Sequence, residues 1–580
     1  MLVILILVLD VNSDIFKYPV DYSGDTLQVL MFFKMIINGD LPFYSYATSH
    51  YVGLPFGFIS ADYPSPMATG FLFVKLLSMF TSNVAVVFNM YLIISYFMII
   101  NVMFFVLKRL RINSYLALTI ALLYSLIPFH HFRISHTWYV NYFLLPIAVY
   151  YLLLLWRSKP LFFIKKAGEE KYTFDFSRRN LIIIAILIFF SLWNFYYSFF
   201  FVLLATGAAI SAAHYRRNRY HFFSGIVMIF FITAPFIINL IPYQLYQYEH
   251  GKNTQVAHRL TFEAEIYGLK IAQMVLPIDG HNNAFLAKVK KTYNMAPLIG
   301  ENRFSTLGII GSLGFMIMIF YMLFDERILT VIKKLSILNF TAVIIATIGG
   351  FSSLFALIVT PQIRGYNRIS IFIATMALFV VAIILNELVK KYSLKWYSNL
   401  FIALLILSVG IYDQVPSYFS YSKAIKAYRH IFVADREFVQ AIEEELKSSK
   451  NKMVFQYPHM SSPESHVINK LGEYRQVVGF LHSDTIKWSF GGIKGRESDA
   501  WIKKLQKLPL EKQIDILRSS GFDGIWVDLR GYKDGGKEIE SNLSRILGTK
   551  PIVSHYKTRL FYKMKPTGNK IYDFTEPNRK

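Results

Sequence analysis

Up to residue 413 the chain alternates long apolar runs with short charged ones. The runs fall at 1–9, 83–107, 114–129, 139–156, 181–197, 198–213, 222–243, 305–324, 336–358, 370–388 and 400–413. A helix needs about 20 apolar residues to cross a hydrocarbon core, so the pattern predicts about eleven crossings. The stretch 181–213 is too long for one helix and is expected to fold back as a tight hairpin near Asn194 and Ser198. The run 1–9 is too short to span alone and lacks the basic region and small-residue cleavage site of a signal peptide. It is read as the outer part of a first helix with a missing or misassigned start.

Charge orients the spans. Basic residues cluster at 108–111, 157–179, 216–219, 327–334 and 390–395, and placing all five clusters on the cytoplasmic side satisfies the positive-inside rule with a single topology. Loops 10–82, 130–138, 244–304 and 359–369, together with everything after 413, then lie outside. Within the first loop, 27–37 is expected to be an interfacial helix along the bilayer, and 66–81, interrupted by Lys75, a re-entrant or surface helix.

After residue 413 the texture changes to charged helical patterns, such as 436–449, alternating with β-rich runs at 453–457, 476–480, 524–529 and 559–564. The expected fold class is therefore a polytopic α-helical membrane domain over 1–413, followed by a soluble extracytoplasmic α/β domain over 414–580 whose tail from about Lys565 is disordered. Composition agrees. Hydrophobic side chains make up 54% of the 580 residues and charged ones 17%, and the mean hydropathy is +0.39, which suits lipid rather than water as the main solvent. The net charge of +24 would suit a nucleic-acid binder, but the cations punctuate apolar runs instead of forming one stripe, so nucleic acid is not expected as a partner. With no cysteine, disulfides, Cys-ligated zinc and thiolate catalysis are excluded.

Candidate chemistry gathers in the outer loops. In Asp21-Tyr22-Ser23-Gly24-Asp25-Thr26 two carboxylates lie just beyond the first helix, where a polyprenyl phosphate presents its head group. Asp25 first, and Asp21 second, are candidates for a general base acting on an acceptor hydroxyl. The competing reading is that Asp25 caps the helix starting at Thr26. Asp62, in the turn Ser60-Ala61-Asp62-Tyr63-Pro64, either holds a sugar hydroxyl or a metal, or makes an Asx-turn. In the loop 258–270, Glu263 and Glu265 diverge by about 200° if helical, so one of them orients substrate while Arg259 or Lys270 holds phosphate, or both lie on a solvated face. Asp279, His281, Glu301 and Arg303 add polar candidates. Arg364 and Arg368, between two spans, form a natural diphosphate clamp or contact lipid head groups. His130, His131 and His136 have a spacing that could hold metal, although interfacial histidines are often unliganded. The C-terminal domain shows no Ser-His-Asp order, phosphate-cradling loop or HExxH and is read as a binding or scaffolding module.

At Gly24-Asp25-Thr26-Leu27-Gln28, Asn38-Gly39-Asp40-Leu41-Pro42 and Gly53-Leu54-Pro55-Phe56-Gly57, the chain resembles the YfhO-like bacterial membrane proteins of the GT-C glycosyltransferase superfamily. The resemblance continues through Arg133, the span with Pro146, 194–197 and 364–368. It implies a multi-pass protein of the bacterial cytoplasmic membrane that moves a sugar from a polyprenyl-phosphate donor to an envelope glycan, glycolipid or protein. It also implies an essential first-loop Asp, which falls on Asp25 or, failing that, Asp21. The first loop lacks an adjacent acidic pair, so a divalent metal cofactor stays an open question. Two other classes compete: a flippase for lipid-linked glycans, which needs polar groups lining its spans, and a non-catalytic envelope assembly factor.

Overall fold

In the computed structural model the described residues are 6, 8–165, 171–323 and 330–574. Most of the expected first run and part of the basic cluster at 327–334 lie outside them. Six helices among the described residues are long and apolar enough to cross a membrane, as in a multi-pass membrane protein: Val84–Arg109, Ile134–Leu154, Phe195–Arg216, Arg219–His250, Tyr366–Lys391 and Trp396–Gln414. This is fewer than the eleven expected. At the other positions stand Ser114–Ser125, Arg178–Ser191, Gly308–Tyr321 and Val331–Ala346, with 12, 14, 14 and 16 residues. At 1.5 Å per residue these reach about 18–24 Å, short of a hydrocarbon core of about 30 Å, because each apolar run included turn residues.

The sequence shows why the helices stop where they do. Asn83, Asn113, Asn194 and Asn218 each accept backbone N–H bonds at a helix start, so the 181–213 hairpin turns at 192–194, slightly before the expected place. The run 336–358 is not one span. It breaks at 347–350, where Gly349 has a φ of +75° and Leu269 threads in, its N–H donating to the Ala346 carbonyl and its own carbonyl accepting from Ile348. At one end of the bundle Asn386 accepts from the Asn113 N–H at 2.8 Å, and Arg216 donates to the Trp156 carbonyl at 2.9 Å. The opposite end carries the C-terminal unit.

Helix Asp25–Asn38, expected at the bilayer interface, is enclosed by protein. Leu27, Leu30, Met31, Phe33, Met35 and Ile36 are all buried, against Val84–Arg109 on one side and the short helix Val478–His482 on the other. Even Lys34 is buried, donating to the Ser483 carbonyl and Asp484. Helix Ala68–Ser78 packs beside it, and Lys75 donates to the Ile36 and Ile37 carbonyls at the end of Asp25–Asn38, a favourable place for a cation.

Two small ribbons, β1 (Thr48–Ser49) with β2 (Phe58–Ile59) and β3 (Phe163–Lys165) with β4 (Tyr172–Phe174), precede the main sheet. That sheet holds β5 (Met453–Tyr457), β6 (Lys487–Trp488), β7 (Gly524–Asp528), β8 (Ile552–Val553) and β9 (Arg559–Lys563) in the order β6-β5-β7-β9-β8. The pairs on either side of β5 are parallel and those involving β9 antiparallel. Three of the four expected strands are present. The fourth, 476–480, is a helical turn, since a short apolar run suits a buried helix as well as a strand. There Gly479 lets the backbone meet the Trp488 ring, which a Cβ would approach to 2.7 Å.

The long helix Tyr421–Glu445 links Trp396–Gln414 to this sheet. Of the tail expected to be disordered, residues 575–580 lie outside the described residues and 565–574 are held: the Trp501 indole donates to the Tyr572 carbonyl and packs on Phe574, because 571–574 cover apolar surface the sheet leaves open. The unit is also completed from outside. Gly53 and Leu54 donate to the Phe490 and Trp488 carbonyls, and Leu54 joins the core of the C-terminal unit.

Candidate active site

Asp25 is the first residue of its helix, yet it caps nothing. Gly24 occupies the N-cap position with a φ of +47°, no side chain bonds the free N–H groups, and the Asp25 carboxylate, half exposed, faces His136 Nε2 at 3.2 Å. Capping is therefore not what holds this carboxylate in place. His136 Nδ1 is buried without a bond among the described residues. Asp21 has the turn-building part: its oxygens accept from the hydroxyls of Ser23 at 2.8 Å and Thr26. Burial pushes its carboxyl up, against the pull of those hydrogen bonds.

Next to His136 lies a charge cluster assembled from three distant segments. Arg133, fully buried, donates to Glu301 Oε2 at 2.6 Å and to Asn367 Oδ1 at 2.8 Å. Arg368 pairs with the same Glu301 at 3.3 Å, donates to the Tyr139 hydroxyl at 2.7 Å and lies between the rings of Tyr139 and Tyr196, 4.2 and 4.5 Å from their centroids. Burial works against the charge on Glu301, but Arg368 and Arg133, with a smaller effect from His136, hold its carboxyl well below the usual range. Two guanidiniums share one carboxylate, so this cluster keeps one positive charge uncompensated.

The remaining expected residues sort differently. Arg364 pairs with Glu263, whose other oxygen accepts from the Leu260 N–H at 3.1 Å. Glu265 turns away, as its divergence from Glu263 required, and accepts from the Gly349 N–H at 2.7 Å and from the Ser353 hydroxyl, pinning the broken helix. Arg259 forks onto Glu464 of the C-terminal unit. Asp62 is buried, with Arg496 donating to both its oxygens at 2.6 and 2.7 Å and Asn253 adding a third bond. It ties three segments together and has little capacity left for a ligand. Arg303 is half exposed, 4.0 Å from Asp279 and over the Phe304 ring. Arg364 and Arg368 thus do not form a bare clamp, since each already faces a carboxylate.

His130 and His131 are buried packing groups, the first 3.9 Å from the Tyr96 ring and the second 4.7 Å from Phe419. Among the described residues no three His, Asp or Glu side chains stand together as metal ligands; Asp25 and His136 are two donors.

No family model matches the chain, and no curated protein matches it. Solved structures do. ArnT from Cupriavidus metallidurans bound to undecaprenyl phosphate is similar over 97% of this chain and 96% of its own, at 10% identity and a TM-score of 0.47. A mutant form of the arabinofuranosyltransferase AftD from Mycobacteria is similar over 91% of this chain, at 14% identity and a TM-score of 0.43, and the chain spans 36% of that protein.

The C-terminal unit reaches the same place, which the sequence did not signal. Loop 459–475 brings Glu464 onto Arg259, and Tyr474, with a φ of +62°, donates no cap but accepts the Glu464 N–H at 3.2 Å. Burial pushes the Glu473 carboxyl up, and the charges of Asp25 and Glu464 push the same way. Asp25 also acts on Tyr63 and Tyr474, whose hydroxyls burial raises. The charge of Asp25, which faces His136, thus reaches Tyr63 in the membrane domain and Glu473 and Tyr474 in the C-terminal unit. Nothing in the sequence singles out Gly472-Glu473-Tyr474. Glu301 stood out only as one polar residue among several.

Proposed function

We propose that this chain is a GT-C-type membrane glycosyltransferase of the bacterial cytoplasmic membrane. It would take a sugar from a polyprenyl-phosphate donor and place it on an envelope glycan, glycolipid or protein, with the C-terminal unit on the extracytoplasmic side. The observation that carries this reading is the half-exposed Asp25 carboxylate, free of capping duty, held by His136 beside a cation cluster with charge to spare.

In this scheme the Asp25 carboxylate takes the proton of an acceptor hydroxyl as its oxygen forms a bond to the anomeric carbon. The bond from that carbon to the phosphate oxygen breaks on the opposite face, its electron pair leaving with the lipid phosphate, and the configuration inverts. His136 orients Asp25. Arg368, less deeply buried than Arg133 and backed by it, stabilises the growing negative charge on the leaving phosphate. Arg259, Glu263 and Arg364 hold loop 258–270 against the site.

The test is complementation of a deletion strain, with envelope glycans read by mass spectrometry. Wild type and Asp21→Asn are expected to restore the missing sugar, Asp21→Asn at reduced level, and Asp25→Asn to restore none. A flippase or an assembly factor would tolerate Asp25→Asn, and full rescue by that variant overturns the assignment.

A further inference from the structure

The helix Tyr421–Glu445 carries a second feature that the transfer reading does not use. Its buried face presents Ile425, Phe432, Phe438, Val439 and Ile442 to the protein, while Arg429 and Arg436 flank that face and Lys426, His430 and Val433 continue the row round to the outer side. With Tyr18 and the β8–β9 turn, this face walls a cleft of about 410 Å³. Arg429 is engaged, pairing with Asp14 at 3.4 Å and lying 4.9 Å from the Tyr18 ring. Among the described residues Lys426 and Arg436 meet no carboxylate, although Arg436 is half buried. His430 stands edge-on to the Tyr556 ring.

The position of this cleft narrows what it could hold. The Tyr18 carbonyl accepts from Asn89 Nδ2 at 2.7 Å, and Asn89 lies in the second turn of the membrane helix Val84–Arg109. The floor of the cleft is therefore level with the first turns of a span, where a lipid head group sits and where tyrosines anchor. The foot of the wall is fixed there too: Ser420 donates to Asp10 at 2.5 Å, and Asn12 donates to Ser422 at 3.0 Å. Three full cations, Lys426, Arg429 and Arg436, face two carboxylates, Glu437 in the lining and Asp14 on Arg429. One positive charge is left over, matching the single negative charge of a phosphodiester.

We propose that this cleft binds the phosphodiester head group of an anionic phospholipid, held by Lys426 and Arg436 with Tyr18 at the lipid boundary. The cleft's lining shares no residue with the Asp25 centre, and the proposal does not depend on the transfer reading.

The full chain, purified in detergent and equilibrated with phosphatidylglycerol or phosphatidylcholine, is examined by native mass spectrometry. Phosphatidylglycerol is expected to be retained in preference to phosphatidylcholine. Lys426→Gln with Arg436→Gln should weaken retention roughly 25-fold, about fivefold per cation, while Arg436→Lys keeps it, separating charge from fold. If the double variant fails to fold, Lys426→Gln alone, at an exposed position, should give the fivefold loss. Unchanged retention in the variants, or equal retention of phosphatidylcholine, overturns the proposal. Complete displacement by inorganic phosphate also overturns it, since the ligand would then be a soluble anion.

Discussion

Glu301 is the residue whose loss should disturb the site most. Its carboxylate lies 2.6 Å from Arg133 and 3.3 Å from Arg368, and at an effective dielectric of about 20 these pairs attract by about 6 and about 5 kcal/mol. Desolvation and the mutual repulsion of the two guanidiniums offset much of that, yet removing the shared partner leaves both cations buried and unpaired. The expected cost of Glu301→Gln is about 3–5 kcal/mol. Arg133→Met is the control. It leaves Glu301 with Arg368, a balanced pair, and should cost clearly less despite losing the Asn367 contact. Unfolding in mixed detergent micelles, followed by tryptophan fluorescence, ranks the variants. The sign with pH follows from the depressed carboxyl: the stability Glu301 contributes is present above its ordinary value of 4.5 and is lost as pH falls below it toward the folded value. Wild type should therefore lose stability on acidification more steeply than Glu301→Gln. A Glu301→Gln protein as stable as wild type, or more stable than Arg133→Met, would refute the reasoning.

Asp62→Asn should leave Arg496 without its carboxylate, cost about 3 kcal/mol and expose loop 251–257, read as faster limited proteolysis there; unchanged cleavage would contradict the tie. Lys290, buried in the loop helix Ala284–Tyr293, has its ammonium pushed down to about 8 by burial. Because the unfolded chain then binds the proton more tightly, stability should rise between about pH 8 and its ordinary value of 10.5, and Lys290→Met should flatten that rise in thermal unfolding scans.

Helix positions were legible because lipid demands long apolar runs and loops punctuate them with cations. What escaped was whatever depends on contacts between distant residues. Asp25–Asn38 has the apolar content of an interfacial helix, and only the arrival of Val478–His482 decides that it is buried. The break at 347–350 hides in an apolar run because two glycines are tolerable within a span, and it is Leu269 and Glu265 that open it. Asp25 could be singled out from its place beside the first helix, but not its freedom from capping, which depends on Gly24 taking the N-cap. The partners of Arg364, Arg368 and Arg259 lie 101, 67 and 205 residues away, and spacing along the chain carries no information on such pairs.

The most direct measurement pairs two inventories from the same cells, envelope glycans and extracted polyprenyl-phosphate lipids, in strains carrying wild type, a deletion or Asp25→Asn at equal membrane abundance. The account predicts that Asp25→Asn matches the deletion in both, one sugar missing from the glycan and the same sugar accumulating on the lipid phosphate. Restoration of the glycan by Asp25→Asn, or a lost sugar with no lipid-linked counterpart, would contradict it.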